Sequence, residues 1–245
     1  MLSDVLKDDW LRPDWTVEGV RAFMTTANLN IGRSVGDDLD RVMANRALVG
    51  RELNAQPVFM PQVHGTDVLH LESAHAVPHA DMPKADAAVS TTPGLAVAIQ
   101  VADCLPVLFA APGGVAGAHA GWRGLAAGVL ENTVAELCKA AHCRPDQVHA
   151  WMGACIGPEA FEVGADVLEA FGSPTQYFRY QPNAAGEPRW RADLPGLARA
   201  RLAALGLASI GGGGWCTFSD ARFFSYRRER LGGPRGRMVA AITLL

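Results

Sequence analysis

The chain has 245 residues, 49% of them hydrophobic and 19% charged, with a formal net charge of −3. That length buries a core without crosslinks, and that balance excludes a disordered chain. The near-neutral charge leaves no electrostatic footprint for nucleic acid, and the longest apolar region, 95–111, is interrupted by Gln100, Asp103 and Pro106, which excludes a bilayer span there.

From the start, Met1 to Trp10 carries Asp4, Lys7, Asp8 and Asp9 with no apolar stretch behind it, so no secretory signal is read and a cytoplasmic protein is expected. A strand is predicted over 17–24. A helix begins at Asp37-Asp38-Leu39-Asp40, whose acids suit a helix N-terminus, and runs to about Leu53. Short strands follow over 57–60 and 67–71, separated by Gln62-Val63-His64-Gly65. Further strands are expected over 87–90, 96–101 and 106–110, the last two apolar on both faces as buried strands are. Pro112-Gly113-Gly114 marks a turn, and 115–119 the next strand.

The clearest helix is expected over 124–141, where Ala126, Leu130, Val134, Leu137, Cys138 and Ala141 make an apolar stripe. A strand over 148–152 and a helix over 161–171 come next. The Pro-, Gly- and aromatic-rich stretch 173–191 reads as a loop or lid. A helix over 194–205, a glycine turn over 211–214 and a closing strand over 238–244 complete the chain. Hairpins mixed with helices imply an α/β or α+β domain with a mixed sheet, and no linker divides residues 1–245 into two domains.

Two segments concentrate the chemistry: Val101-Ala102-Asp103-Cys104-Leu105-Pro106-Val107 and Ala118-His119-Ala120-Gly121-Trp122-Arg123-Gly124. Cys104 and His119 each stand at the end of an apolar run, and His64 stands in a glycine-terminated turn. Two imidazoles and a thiol make the three-ligand, one-open-position form of a catalytic zinc site. The same pair, Cys104 and His119, also suits a nucleophile and its base. Gly121, Gly124 and the helix they introduce offer backbone N–H groups to an anion, and Arg123 adds a fork-shaped donor. The cluster Tyr226-Arg227-Arg228-Glu229-Arg230 reads equally as a phosphate grip or a solvated turn.

Other candidates fail physically. His75 and His79 have metalloprotease spacing, but Pro78 breaks a helix there and no Glu follows His75, so a surface loop is expected. The glycine run lacks the Lys-Ser/Thr of a phosphate loop. Five irregularly spaced cysteines indicate no disulfide framework. Cys138, Cys155 and Cys216 read as small buried hydrophobes and Cys143 as a thiol at a helix end.

Six ordered motifs carry a family resemblance. They are Gln62-Val63-His64-Gly65-Thr66-Asp67, Ala102-Asp103-Cys104-Leu105-Pro106-Val107, His119-Ala120-Gly121-Trp122-Arg123-Gly124, Gly153-Ala154-Cys155-Ile156-Gly157-Pro158, Phe161-Glu162-Val163-Gly164 and Arg222-Phe223-Phe224-Ser225-Tyr226-Arg227-Arg228. From about Val20 onward the chain resembles the YfiH/YlmD family, also called laccase-like multicopper polyphenol oxidoreductases. The resemblance implies α/β/β/α layers shared with the cytotoxic necrotizing factor catalytic domain. It also implies a zinc (Zn²⁺) site at His64, Cys104 and His119, with Cu²⁺ as an in vitro occupant.

The implied partners are purine nucleosides and phosphate: phosphorolysis of adenosine, inosine and methylthioadenosine, and adenosine deamination. Asp103 is the expected proton carrier in deamination, and Gln62, Arg123 and Arg227 are the candidates for holding substrate or phosphate. Two alternatives remain: a Cys–His amidase acting on peptidoglycan precursors, and a copper-dependent polyphenol oxidase. One departure stands out. The segment 23–32 lacks the arginine and glycine pair that the family carries before its Leu-Asn-Leu-Gly segment, with Arg33 the nearest substitute.

Overall fold

The computed structural model describes residues 9–15, 17–76, 82–173 and 175–245. Two sheets lie face to face with helices outside each, as expected. The larger sheet has six strands in the order β12-β8-β6-β7-β4-β3, built from β3 (Val68–His70), β4 (Ala87–Ser90), β6 (Leu105–Ala111), β7 (Gly114–Ala120), β8 (His149–Met152) and β12 (Ser209–Gly212). The other has four strands in the order β1-β13-β5-β2, from β1 (Val20–Met24), β2 (Gln56–Phe59), β5 (Leu95–Val101) and β13 (Met238–Leu244). Both are mixed: β2 runs parallel to β5, and β3 to β4, within otherwise largely antiparallel ladders.

Strand periodicity sorts the core into three layers. Along β5, Val97 and Ile99 point between the sheets while Ala96 and Ala98 point outward. Along β6, Leu108 and Ala110 point between the sheets while Val107 and Phe109 face the opposite way. The outer face of the four-stranded sheet is covered by α1 (Leu39–Leu53) through Leu48, Val49 and Leu53. The outer face of the six-stranded sheet is covered by α3 (Val129–Ala141) and α5 (Leu194–Ala204) through Leu130, Val134, Leu137, Leu197 and Leu202. Gly117 on β7 lets the sheets close: a Cβ there would lie 2.9 Å from Val97 Cγ1 and 3.0 Å from Ile99 Cγ1.

The expected N-terminal signal of α1 holds: Asp38 caps the helix by accepting from Arg41 N at 2.8 Å. Four expectations are corrected. The helix over 124–141 is two helices, α2 (Trp122–Ala127) and α3, because Gly128 adopts φ 100° and serves both as the C-cap of one and the N-cap of the other. The apolar stripe ran through Gly128 and concealed the break. The helix over 161–171 shrinks to α4 (Ala165–Ala170), preceded by a strand, β9 (Glu162–Val163). The loop over 173–191 carries β10 (Phe178–Tyr180) and β11 (Trp190–Ala192), which join β9 in a third, three-stranded sheet. The glycine turn over 211–214 begins inside β12, a parallel edge strand on β8. His75 sits in a 3-10 turn over Ser73–Ala76, and His79 lies outside the described residues. Among the described residues, no helix is long and apolar enough to cross a membrane.

Candidate metal centre

The β6–β7 pairing places Leu105 opposite Ala120 and Pro106 opposite His119. Cys104, one residue before β6, therefore arrives beside His119 near the end of β7. His64 comes from the connection between β2 and β3, in a left-handed backbone conformation with φ 62°. Asp103 is also left-handed, φ 84°, which turns the chain sharply into Cys104.

The three side chains meet. Cys104 Sγ lies 3.7 Å from His64 Nε2, and one potential ligand atom from each of His64, Cys104 and His119 lies within 4.8 Å of the others. The two imidazoles are edge-to-face at 4.8 Å between centroids. This is the one such group of three or more His, Cys, Asp or Glu among the described residues.

Asp86, which the sequence reading did not single out, organises the cluster. Its fully buried carboxylate accepts from three successive backbone N–H groups of the His64 turn: Val63 at 3.0 Å, His64 at 2.9 Å and Gly65 at 2.7 Å. It also bonds His119 Nδ1 at 2.8 Å, which leaves His119 Nε2 for a ligand role. Its only sequence signal is an acid at the mouth of the apolar strand Ala87–Ser90.

Glycines let the pieces close. A Cβ on Gly121 would lie 2.7 Å from His64 Cδ2 and 3.1 Å from Cys104 Sγ. A Cβ on Gly124 would lie 2.7 Å from the Gly65 carbonyl, so α2 packs directly on the His64 turn.

The electrostatics follow from this packing. Burial pushes the Cys104 thiol up, but the charge of His119 and hydrogen bonds from His119 and His64 outweigh it and bring the thiol down to about 6. Burial pushes His119 down, but the Cys104 charge and the Asp86 hydrogen bond outweigh it and raise the imidazole to about 9. Burial likewise opposes the charge on Asp86, yet its bonds from His119, Gly65 and Val63 keep it below the ordinary carboxylate range.

The donor set fits a tetrahedral zinc-type ion. Zn–S and Zn–N bonds of about 2.3 and 2.0 Å place sulfur and nitrogen about 3.5 Å apart, against 3.7 Å between Cys104 and His64. A carboxylate behind one imidazole and a glycine where a Cβ would intrude complete the fit.

The cluster opens into a cleft of about 1070 Å³, lined among others by Gln62, Arg123, Arg33, Arg46, Tyr226 and Arg237, with no carboxylate in its lining among the described residues. Arg123 is exposed and lies 4.3 Å over the Trp122 ring. Gln62 lines the cleft, but its amide is used in the fold: Nε2 donates to the Gln100 carbonyl and Oε1 accepts from Gln100 N, both at 2.8 Å. Asp103 is not in the cleft lining. Its carboxylate accepts from Thr217 Oγ1 at 2.5 Å, Ser225 Oγ at 3.0 Å and Arg227 N at 2.6 Å, tying the 217–227 segment to the Cys104 turn. The expected proton carrier thus has its carboxylate engaged by three donors and lies outside the cleft lining. Arg227 also lies outside the cleft lining, its guanidinium donating to the Glu162 carbonyl at 3.0 Å. Arg46 and Arg237 line the cleft and were not anticipated.

A layered pair of mixed sheets that gathers two imidazoles and a thiol at one end of a β-hairpin defines the class. The chain belongs to the family described as multi-copper polyphenol oxidoreductase laccase, which it matches over residues 17–245. It is similar to purine nucleoside phosphorylase PA4543 of Pseudomonas aeruginosa, 43% identical over 94% of this chain and 97% of that one. It is also similar to purine nucleoside phosphorylase YfiH of Escherichia coli, 41% identical over 100% of both chains. Among solved structures it resembles Neisseria meningitidis protein NMB0706, with a TM-score of 0.84 and 38% identity over 97% of this chain and 99% of that one. YlmD from Geobacillus stearothermophilus superposes with a TM-score of 0.84 and 31% identity over 96% of each chain. The YfiH and YlmD names agree with the family that the motifs indicated.

Proposed function

We propose that this chain is a purine nucleoside phosphorylase, working as one domain over residues 1–245. The observation that carries the reading is the metal-competent His64–Cys104–His119 cluster opening into a cleft whose lining, among the described residues, holds arginines and no carboxylate. Relatives that bear the phosphorylase name over nearly their full length support it. Phosphorolysis forms a bond from a phosphate oxygen to C1′ of the ribose as the bond from C1′ to the purine breaks. The electrons of that bond leave with the purine, which takes up a proton.

His64, Cys104 and His119 would hold Zn²⁺, which when bound supplies Lewis-acid polarisation of an oxygen. Asp86 fixes the tautomer and orientation of His119 and the turn that presents His64. Arg123, on the helix that follows the cluster, offers a planar fork to phosphate. Adenosine, inosine and methylthioadenosine are the proposed nucleosides, adenosine deamination is a second proposed activity, and the cytoplasm is the proposed location.

The test is product mass spectrometry after zinc-loaded protein meets adenosine and phosphate, with Cys104→Ala as control. Adenine with ribose 1-phosphate in the wild type alone supports phosphorolysis, and inosine supports deamination. Unchanged adenosine overturns both. A second reading has its own observation: a thiol held at about 6 beside an imidazolium is the charge state of a Cys–His nucleophile pair. An amidase of this kind, tried on peptidoglycan precursors, would leave an acyl group trapped on Cys104.

A further inference from the structure

We propose that Arg33 and Arg46 form a second anion site of the cleft, built for a phosphoryl dianion. The identity of that ligand rests on the phosphorylase reading, and its place rests on geometry. A second cavity, of about 480 Å³, adjoins the main cleft, and Arg33, Arg46 and Phe59 line both. Arg123, His64, Cys104 and His119 line only the larger space. The Arg33–Arg46 wall is thus a cationic pole separate from the metal-ligand end.

Arg46 is held by neutral partners, and the backbone that leads into Arg33 is braced. Arg46 donates from Nε to the Ile31 carbonyl at 2.9 Å and from Nη2 to Gln100 Oε1 at 3.0 Å. Its guanidinium lies 4.0 Å over the Phe59 ring. Those two bonds leave the rest of its five N–H donors for a ligand. Arg33 follows a braced segment: Asn30 Oδ1 accepts from Gly32 N at 3.0 Å and from Arg237 N at 2.9 Å. Gly32 is required there, since a Cβ would lie 2.8 Å from Arg237 Cγ. Arg237 is a contrast, because its charge is met by Glu229 at 3.1 Å.

Among the described residues, no carboxylate pairs with Arg33 or Arg46. Burial lowers Arg46 to about 10, and the neighbouring charge of Arg33 acts in the same direction. Two uncompensated like charges on one wall are relieved by a dianion that accepts from both forks. A cleft of about 1070 Å³ also leaves room for an anion beside a nucleoside. Two sources share this chemistry: inorganic phosphate as co-substrate, and the phosphate ester of a nucleotide.

The experiment is calorimetric titration of the full metal-loaded chain with inorganic phosphate, adenosine and adenosine 5′-monophosphate, for wild type, Arg33→Gln and Arg33→Lys. Arg33 has no hydrogen-bond or ion-pair partner among the described residues, and thermal unfolding checks that the variants fold. The Gln variant should bind a phosphoryl ligand about tenfold more weakly or worse, with adenosine unchanged and Lys restoring part of the loss. A loss seen for inorganic phosphate identifies the co-substrate as the source. A monophosphate that binds wild type more tightly than adenosine, with that advantage lost in the Gln variant, identifies the ester. Equal binding of both anions by wild type and the Gln variant, or no binding of either by wild type, overturns the site. The outcome is separable from the phosphorylase reading. Arg33-dependent phosphate binding without ribose 1-phosphate formation keeps the site and removes the activity, while phosphorolysis with an unchanged KM for phosphate in the Gln variant does the reverse.

Discussion

Replacing Asp86 by Asn is the sharpest test of how the cluster is held. One carboxylate oxygen accepts from Val63 N and Gly65 N, the other from His64 N and His119 Nδ1. An amide offers a single oxygen, so its NH₂ would face two N–H donors in a fully buried site. Two lost charge-assisted bonds at about 1.5–3 kcal/mol each amount to about 3–6 kcal/mol, in line with the roughly 3–5 kcal/mol cost of stripping one partner from a buried ionic site. In a protein of this length that lowers Tm by roughly 10 °C. Loosening two ligands together should weaken zinc binding about 10- to 100-fold. The effect has a defined pH sense. The folded-state pKa of Asp86 is lowered, so its contribution is complete above the ordinary carboxylate range and is lost as pH falls through the lowered value. The gap between wild type and variant should therefore be full at neutral pH and close in acid. Thermal unfolding across pH, with zinc competition against a chromogenic chelator, measures both quantities. A variant that melts within about 1 °C of wild type and keeps its zinc affinity would refute the assignment of Asp86 as the joint support of His64 and His119.

Gly121→Ala forces a Cβ to 2.7 Å from His64 Cδ2. The ring must move about 0.7 Å or more to reach ordinary contact, well beyond the roughly 0.2 Å tolerance of a metal bond. Zinc affinity should drop at least tenfold, which chelator competition reads, while stability changes by only about 1–3 kcal/mol. Cys104→Ala should abolish both metal binding and nucleoside turnover, and retained turnover in that variant sinks the site assignment. In metal-free protein, Cys104 should be alkylated by iodoacetamide at a rate that climbs through pH of about 6, because the thiolate forms there and not near 9. A rate that climbs only near pH 9 contradicts the thiolate–imidazolium pair. Three ligands gather here among the described residues, fewer than a four-copper centre uses. Cu²⁺ should still displace Zn²⁺ from an N₂S site. Phenol oxidation should then require added copper, and turnover by copper-free, zinc-loaded protein would count against that.

Much of this was readable along the chain. The near-continuous apolar runs in Leu95–Val101 and Leu105–Ala111 announce strands buried on both faces, and Pro112-Gly113-Gly114 announces the turn between β6 and β7. Given that turn, pairing brings Cys104 beside His119 with no further information. Short elements were less legible. Phe178–Tyr180 and Trp190–Ala192 are three residues each, too short for a period to emerge from a Pro- and Gly-rich background. Gly128 interrupts a helix whose apolar stripe continues past it, and only its φ of 100° marks the break.

The residue types for metal binding, the strands that end at them and the family are determined by the sequence alone, because they rest on local pattern and ordered motifs. The tertiary structure alone decided that Asp86 joins His64 and His119, across 22 and 33 residues of chain. It likewise decided that Asp103 anchors a segment more than a hundred residues away and that Arg33 and Arg46 share a wall. The physical reason is common to all three. A carboxylate or a guanidinium takes its role from the donors, acceptors and charges that folding sets around it, and none of these is adjacent to it in the chain.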